Sequence, residues 1–280
     1  MSTPDVVTTI AALRQRVGAW RAAGKRVGLV PTMGALHEGH LALVRETGKR
    51  CDKTVVSIFV NPAQFAPHED FDRYPRTLET DLAKLDGSAD LVFAPTVTEM
   101  YPEGFSTRIE VGGPSLGLET DFRPHFFAGV ATVVAKLLIA AMPDLAMFGE
   151  KDYQQLLVIR RMSRDLMLPI EIAGSGIVRE ADGLAMSSRN AYLAPAERVI
   201  AGRLNVVLAS VAERVRSGEI IVTAESGAAT ELVNAGFDTV DYVAVRDADT
   251  LAAFTPLSRA ARVLAAARIG KTRLIDNMAV

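Results

Sequence analysis

Cysteine is almost absent from this 280-residue chain. The lone Cys51 cannot close an intramolecular disulfide, and no paired-thiolate spacing exists for zinc, so disulfide scaffolds and zinc ribbons are excluded and a reducing cytoplasm is expected. An excess of one charge is also missing. With 31 Lys and Arg against 33 Asp and Glu the net charge is −2, which argues against nucleic acid as a main partner. Long apolar runs are lacking too: the most apolar stretch, Gly129 to Met142, is short of a membrane span and carries Lys136. Met1 to Arg26 has no basic leader, and Arg14, Gln15, Arg16 and Arg21 break its apolar positions, so neither a signal peptide nor a membrane partner is expected.

What is present is an ordinary globular composition, 49% apolar. At ~150 residues per domain the length suggests two domains or one large α/β domain. Ile10, Leu13, Val17 and Trp20 recur at helical spacing and predict an amphipathic helix over Asp5 to Ala23. Arg26 to Val30 then reads as a strand, Leu41 opens a helix that ends before Asp52, and Lys53 to Val60 is a β-branched strand stopped by Asn61-Pro62. This is a βαβ unit, whose strands should be parallel with a right-handed crossover. The alternation continues with a helix near Arg76 to Leu85, a strand at Asp90 to Ala94, a helix at Gly129 to Ala141, a strand at Leu145 to Phe148, a helix at Asp152 to Leu166 and a strand at Ile170 to Ala173. Such repetition predicts a doubly wound, Rossmann-like parallel sheet with its site beyond the strand C-termini.

After about Ser175 the pattern changes. A polar loop leads to a long helix over Pro195 to Arg216, a second over Thr223 to Ala235, and strand-like runs at Thr239 to Arg246, Ala261 to Ile269 and Thr272 to Asp276. Grouped helices followed by grouped strands predict a small α+β domain, dividing the chain into 1–177 and 178–280.

Four loops concentrate polar chemistry. Pro31-Thr-Met-Gly-Ala-Leu-His-Glu-Gly-His40 places His37 and His40 three apart where a helix begins, and a helix N-terminus with Gly34 and Gly39 nearby suits a phosphate. Asn61-Pro-Ala-Gln64 offers neutral amides at the next strand end, although alone it is turn chemistry. In Phe148-Gly-Glu-Lys-Asp-Tyr-Gln-Gln155, Lys151 stands at a strand end and helix start, where it suits a phosphate as a point charge. Arg179-Glu-Ala-Asp-Gly-Leu-Ala-Met-Ser-Ser-Arg-Asn190 sets two hydroxyls and a guanidinium in succession, able to close over a polyphosphate.

Several near matches fail. His-Glu-Gly-His lacks the four-residue spacing of a zinc-protease helix. Gly270-Lys-Thr272 imitates the end of a P-loop, but the earlier glycine is Ala265 and too few residues follow for the helix. Gly113-Pro-Ser-Leu-Gly117 follows the strand-like run Thr107 to Val111 and matches a nucleophile elbow, but the only histidine after its serine is His125, far too close in sequence. Cys51 reads as inert packing.

Together the histidine loop, the strand-end lysine and the Met-Ser-Ser-Arg loop resemble the α/β nucleotidyl-transferring enzymes that activate carboxylates on ATP. The longer motifs, with Val56-Ser-Ile-Phe-Val-Asn-Pro-Ala-Gln-Phe65, Tyr74-Pro-Arg76 and Thr272-Arg-Leu-Ile-Asp-Asn277 added, resemble the pantothenate synthetase family over nearly the whole chain. The resemblance implies an ATP-dependent ligase that joins pantoate to β-alanine through a pantoyl-adenylate, giving pantothenate, AMP and pyrophosphate. It implies ATP contacts at Met33, Gly34, Ala35, Leu36, His37, Glu38, Gly39 and His40, at Gly149, Glu150, Lys151 and Asp152, at Val178, and at Met186, Ser187, Ser188 and Arg189. His37, His40, Lys151, Ser187, Ser188 and Arg189 are the implied catalytic set. Gln64 and Gln155 map onto the pantoate-binding amides with Asn61 in support, and Gln64 also serves β-alanine. Magnesium is expected with the triphosphate, without a nameable protein ligand, and a homodimer is implied.

One departure stands out. Relatives carry Arg-Pro-x-His-Phe-x-Gly-Val, whereas Arg123-Pro-His-Phe-Phe-Ala-Gly-Val130 places Phe126 at the histidine position and His125 one residue early. Either His125 reaches the same place through a shifted backbone, or the position is apolar here. Two other classes stay open: a simple nucleotidyltransferase, which would show no dependence on β-alanine, and a non-catalytic nucleotide- or RNA-binding module, which would need a basic face.

Overall fold

The structure is a computed structural model, which describes residues 3–66, 69, 71–255 and 258–280. In chain order its main elements are β1 (Asp5–Val7), α1 (Ile10–Ala22), β2 (Val27–Thr32), α2 (Glu38–Gly48), β3 (Lys53–Ile58), α3 (Leu78–Lys84), β4 (Leu91–Phe93), α4 (Val97–Met100), α5 (Glu119–Phe122), α6 (Phe126–Ala141), β5 (Leu145–Gly149), α7 (Tyr153–Asp165), β6 (Glu171–Ser175), α8 (Pro195–Ala201), α9 (Arg203–Arg216), α10 (Ile221–Asn234), β7 (Thr239–Asp247), β8 (Ala261–Ile269) and β9 (Thr272–Ala279). The chain divides into two compact units, one of 1–111, 123–150 and 158–176, the other of 112–122, 151–157 and 177–280.

The first unit is built on a six-stranded sheet in the order β1-β4-β3-β2-β5-β6, with every pair parallel. Successive strand residues face opposite sides. Val30, Val56, Val92, Met147 and Ala173 meet Leu43 and Val44 of α2 on one face. Their neighbours Leu29, Val55, Leu91 and Ala146 are equally buried, on the face where α1 and α6 pack. Both faces are therefore covered, which is why the strands read as continuous apolar runs. Strand order reverses between β2 and β5, and in open parallel sheets that crevice is where ligands sit.

α6 is buried on nearly all sides from Phe127 to Ala135, as expected of an apolar helix without a polar face. Its Gly129 lies against the 61–64 turn so closely that a Cβ would stand 2.2 Å from the Ala63 carbonyl oxygen. Only glycine permits that approach, which brings the helix against the turn that carries Gln64.

The second unit holds the antiparallel sheet β7-β8-β9. Val263, Ala265, Ala267 and Ile269 of β8 pack with Leu204, Leu208 and Val211 of α9 and Leu232 of α10. On the other face Leu264 and Ala244 join Leu118, Tyr153 and Leu157.

Three expectations are corrected. The helix does not begin at Asp5: Asp5–Val7 pairs in parallel with Leu91–Phe93, and the helix starts at Ile10 behind a Thr9 cap. Propensity explains this, because two adjacent valines favour a strand once an open sheet edge is available. The predicted long helix over Pro195 to Arg216 is two, α8 and α9, with Gly202 between them. The strand-like run Thr107 to Val111 joins no sheet.

Candidate active site

The histidine loop leaves the C-terminus of β2 and enters α2. Gly34 and Ala35 both take left-handed backbone, at φ +84 and +50, so the chain turns sharply before the helix. His37 is the N-cap, and its backbone N–H donates to His40 Nδ1 at 3.3 Å. Because Nδ1 accepts, the proton of a neutral His40 ring lies on Nε2. The two rings sit 4.1 Å apart between centroids.

The other loop amides are engaged as well. Gly34 N–H donates to Thr32 Oγ1 at 3.2 Å, and Thr32 Oγ1 donates to the Ser57 carbonyl at 2.8 Å. Ala35 and Leu36 N–H donate to Asp81 Oδ2 and Oδ1 at 2.9 and 2.8 Å. Lys84 Nζ donates to the Leu36 carbonyl at 2.6 Å, so α3 grips the Leu36 residue at both its N–H and its C=O. This refines the sequence reading of a backbone cradle. Four consecutive amides, Gly34 to His37, are used internally, so the backbone cradle narrows to the first-turn amides that the start of α2 leaves outside the helix's own bonding. Behind the loop, beyond the ends of β2, β3 and β4, lies a cavity of about 340 Å³ bordered by Gly34, Ile58, Phe71, Asp81 and Pro95.

Asn61 is 0% exposed. Its Nδ2 donates to Gln64 Oε1 at 3.0 Å and to the Gly129 carbonyl at 3.2 Å, while its Oδ1 accepts from Ala63 N–H at 3.3 Å and Tyr101 Oη at 2.7 Å. Burial pushes the Tyr101 phenol up to about 12, so it stays a neutral donor. Asn61 is thus saturated and acts on Gln64, whose Nε2 reaches Met33 Sδ at 3.1 Å. Arg123 grips Glu69 with two bonds of 2.7 and 2.8 Å and donates to the Gln64 carbonyl at 3.3 Å. Burial raises the Glu69 carboxyl, but the Arg123 bonds and charge outweigh it and hold the group below its ordinary range. Phe126 lies under the Arg123 guanidinium, 3.8 Å from ring centroid to Cζ, and His125 precedes α6 with a buried Nε2 that makes no hydrogen bond among the described residues. Gly149 ends β5, and Glu150 opens the turn that follows.

Lys151, Asp152 and Gln155 belong to the second unit. Lys151 is partly buried in a single 3-10 turn, and its carbonyl accepts from Asn277 Nδ2 at 2.9 Å. Gln155 is partly exposed, whereas its neighbour Gln154 is buried and spends its amide on Pro114, Gly117 and Glu119 of the backbone. Val178 to Met186 forms a narrow hairpin: Met186 N–H donates to the Val178 carbonyl at 3.0 Å, Arg179 bridges Ala185, and Asp182-Gly183 makes the turn with Gly183 at φ +88. Ser187 then caps a 3-10 turn over Ser188–Tyr192, its Oγ accepting from Arg189 N–H at 3.3 Å. The structure therefore groups Met33 to His40 with Gln64 and Asn61 in one unit, and Lys151 and the Met186 to Arg189 segment each have their own supports in the other. Asp81, Lys84, Asp276 and Asn277 hold these segments, and sequence reasoning gave none of them a role. Asp81 and Lys84 read as an ordinary surface pair three apart on a helix.

A doubly wound parallel sheet with a histidine-bearing loop at its switch point defines the class of α/β nucleotide-binding proteins. The family model for pantoate-beta-alanine ligase matches residues 5–279, and the chain belongs to that family. It is 59% identical over 281 residues to the pantothenate synthetase of Mesorhizobium japonicum, covering 100% of this chain and 99% of the relative. Among solved structures, the pantothenate synthetase of Thermus thermophilus superposes with a TM-score of 0.89 at 47% identity, covering 98% of each chain. The pantoate-beta-alanine ligase of Francisella tularensis, solved in complex with beta-gamma ATP and beta-alanine, superposes with a TM-score of 0.84 at 30% identity, covering 99% of this chain and 97% of that one.

Proposed function

We propose that this chain condenses (R)-pantoate with β-alanine using ATP, and that the histidine loop at the switch point carries the nucleotide chemistry. A pantoate carboxylate oxygen attacks the α-phosphorus, the bond to the bridging oxygen breaks, and pyrophosphate leaves with pantoyl-adenylate formed. The β-alanine nitrogen, deprotonated, then attacks the acyl carbon; AMP leaves, and the amine sheds a proton as the amide forms.

Developing negative charge at the α-phosphate needs preorganised donors and a cation. His37 and His40 supply the donors, His40 through the Nε2 proton its Nδ1 bond enforces. Lys151 neutralises phosphate oxygens as pyrophosphate departs, and Ser187, Ser188 and Arg189 bind the polyphosphate. Met33 to His40, Gly149 to Asp152, Val178 and Met186 to Arg189 make up the ATP contacts. Gln64 and Gln155 bind pantoate, Gln64 also meets β-alanine, and Asn61 supports by fixing the Gln64 amide. Among the described residues no group of three or more His, Cys, Asp or Glu side chains is placed to hold a metal ion. Magnesium would instead enter on the triphosphate and neutralise charge there.

The reading extends to a cytoplasmic homodimer. The single buried cysteine fits a reducing compartment, and light scattering on the purified chain tests the dimer.

The carrying observation is the anchored His37–His40 pair at the strand-order reversal. Pyrophosphate release, measured with pantoate and β-alanine each present or omitted, tests the reaction: release requires pantoate, and sustained AMP formation requires both. Release independent of pantoate would return the chain to the simple nucleotidyltransferases. Gln64→Ala should raise the Michaelis constant for pantoate about tenfold, roughly 1.4 kcal/mol, and that for ATP little. The reverse pattern would mean that the pockets are assigned to the wrong substrates.

A further inference from the structure

The C-terminal run Thr272-Arg-Leu-Ile-Asp-Asn277 has no part in the chemistry above, yet Asp276 and Asn277 are each 2% exposed. Both lie on β9 and both reach segments assigned to phosphate. Asn277 Nδ2 donates to the Lys151 carbonyl at 2.9 Å, and its Oδ1 accepts from Arg262 Nη1. The Arg262 guanidinium in turn lies 3.8 Å from the centroid of the Tyr153 ring, whose hydroxyl donates to the Ala248 carbonyl at 2.9 Å. Asp276 takes two parallel bonds from Arg179, at 2.7 and 3.0 Å, and the same guanidinium donates to the Gly183 carbonyl at 2.9 Å. One dipeptide therefore grips the Lys151 peptide with one side chain and the base of the hairpin leading to Ser187 with the other.

We propose that Asn277 is a positioning residue for Lys151, and that Asp276 plays the matching part for the Met186 to Arg189 segment through Arg179. The inference rests on the assignment of Lys151 to phosphate. A lysine ammonium sits on a long flexible stem with many rotamers, so the direction in which it leaves the backbone decides how often it reaches the right place. Lys151 sits in one turn of 3-10 helix, too short to fix its own carbonyl. Asn277 supplies the missing donor. The position needs a donor toward the carbonyl and an acceptor toward the guanidinium at the same time, and among side chains of this size only the asparagine amide has both in one plane.

Asn277→Asp tests this with almost no change of shape. It strengthens the pairing with Arg262, which favours retention of the fold, and sets a carboxylate oxygen against the Lys151 carbonyl. Pyrophosphate release is followed in a single turnover, enzyme in excess over ATP, with pantoate and without β-alanine. Asn277→Asp is expected to slow release on the order of 10-fold while the Michaelis constant for pantoate stays within about twofold. In a Lys151→Ala background the same change is expected to cost nothing further, because a residue that acts through Lys151 has nothing left to position. If Asn277→Asp lowers the melting temperature sharply, Asn277→Ser, too short to span to the carbonyl, replaces it in both backgrounds with the same expectation. An unchanged rate, or a loss that multiplies with that of Lys151→Ala, overturns the inference. A fully active Lys151→Ala would instead remove the lysine assignment itself.

Discussion

Two loops of this chain are proposed to contact ATP, and they are anchored by different physics. Gly34 to His37 is tied by its own backbone: its amides go to Thr32, to the buried Asp81 and to His40 Nδ1. The hairpin before Ser187 is tied mainly by charge. Arg179 pairs with Asp276, and Arg198 with Glu180 and Asp182, at distances of 2.7 to 2.8 Å. Backbone amides on a buried carboxylate define one geometry and are shielded from solvent ions. The Asp276 carboxylate is buried too, but the Arg198 pairs with Glu180 and Asp182 reach solvent, and such pairs hold a segment in place while leaving it easier to open. Under the proposed function, presenting imidazoles at a fixed angle suits the first anchor, and admitting a nucleotide and releasing products suits the second.

Removing the buried carboxylate should break the comparison most severely. Asp81→Ala leaves the Ala35 and Leu36 amides without their acceptor, and at ~1–3 kcal/mol for each unsatisfied group the loss of stability is on the order of 3 kcal/mol. Adenylate formation should fall on the order of 10²-fold, since the imidazoles lose their fixed base. Denaturant melts and pyrophosphate release read the two effects. A variant with full activity would show that the loop holds its shape without α3.

Each of the two loops turns on a left-handed glycine, Gly34 in one and Gly183 in the other. A Cβ on Gly34 would stand 3.1 Å from both Asp81 Oδ2 and Ile58 Cγ2, atoms fixed by the loop anchor and the sheet. On Gly183 it would meet Asn205 Nδ2 at 2.7 Å, the far end of a side chain that can swing away. Both alanine variants incur the left-handed penalty of ~1–2 kcal/mol, but Gly34→Ala must also displace its neighbours. It should therefore melt lower and lose more pyrophosphate release than Gly183→Ala; equal losses would erase the distinction between the anchors.

Much of this was legible from the residues alone, and the reasons differ by region. The parallel sheet showed itself because strands buried on both faces leave continuous β-branched runs such as Lys53 to Ile58. The histidine loop and the Met-Ser-Ser-Arg segment stand out as candidates because glycines, histidines and consecutive hydroxyls are unusual in such connections. Asp5–Val7 was misread because three residues carry too little periodicity to outvote the helix beside them, and their partner β4 lies more than eighty residues away in sequence. Asp81 escaped for a related reason. Its helix is only 7 residues long, and its burial comes from a loop 45 residues distant. Anchors that act through tertiary bonds leave no local spacing to read, and Asn277 on the last strand is the same case.

A gentler change should touch the second loop alone. Arg179→Lys keeps the charge opposite Asp276 but gives up the two-pronged geometry and the bond to the Gly183 carbonyl. The expected cost is about 1 kcal/mol, seen as a severalfold rise in the Michaelis constant for ATP with the melting temperature little changed. A fall in melting temperature comparable with that of Asp81→Ala would mean that the hairpin is as integral to the fold as the histidine loop.

The smallest expected effect needs no mutation. Raising salt to about 1 M shortens the screening length to ~3 Å and weakens pairs whose side chains reach solvent. Arg198 is 24% exposed, and its partners Glu180 and Asp182 are 33% and 43% exposed. The amides of Glu180 and Gly183, bonded across the hairpin to Leu184 and Glu180, should therefore exchange with deuterium severalfold faster at high salt. Ala35 and Leu36, bonded to a carboxylate that is 0% exposed, should show almost no change under the same conditions. If both pairs of amides accelerate together, the two loops share one opening event and the contrast between a backbone anchor and a charge anchor fails. If only the hairpin responds, ionic strength becomes a way to loosen one loop while the other stays fixed, and, under the proposed ATP contacts, the salt dependence of the Michaelis constant for ATP should then follow the exchange of Glu180 rather than that of Leu36.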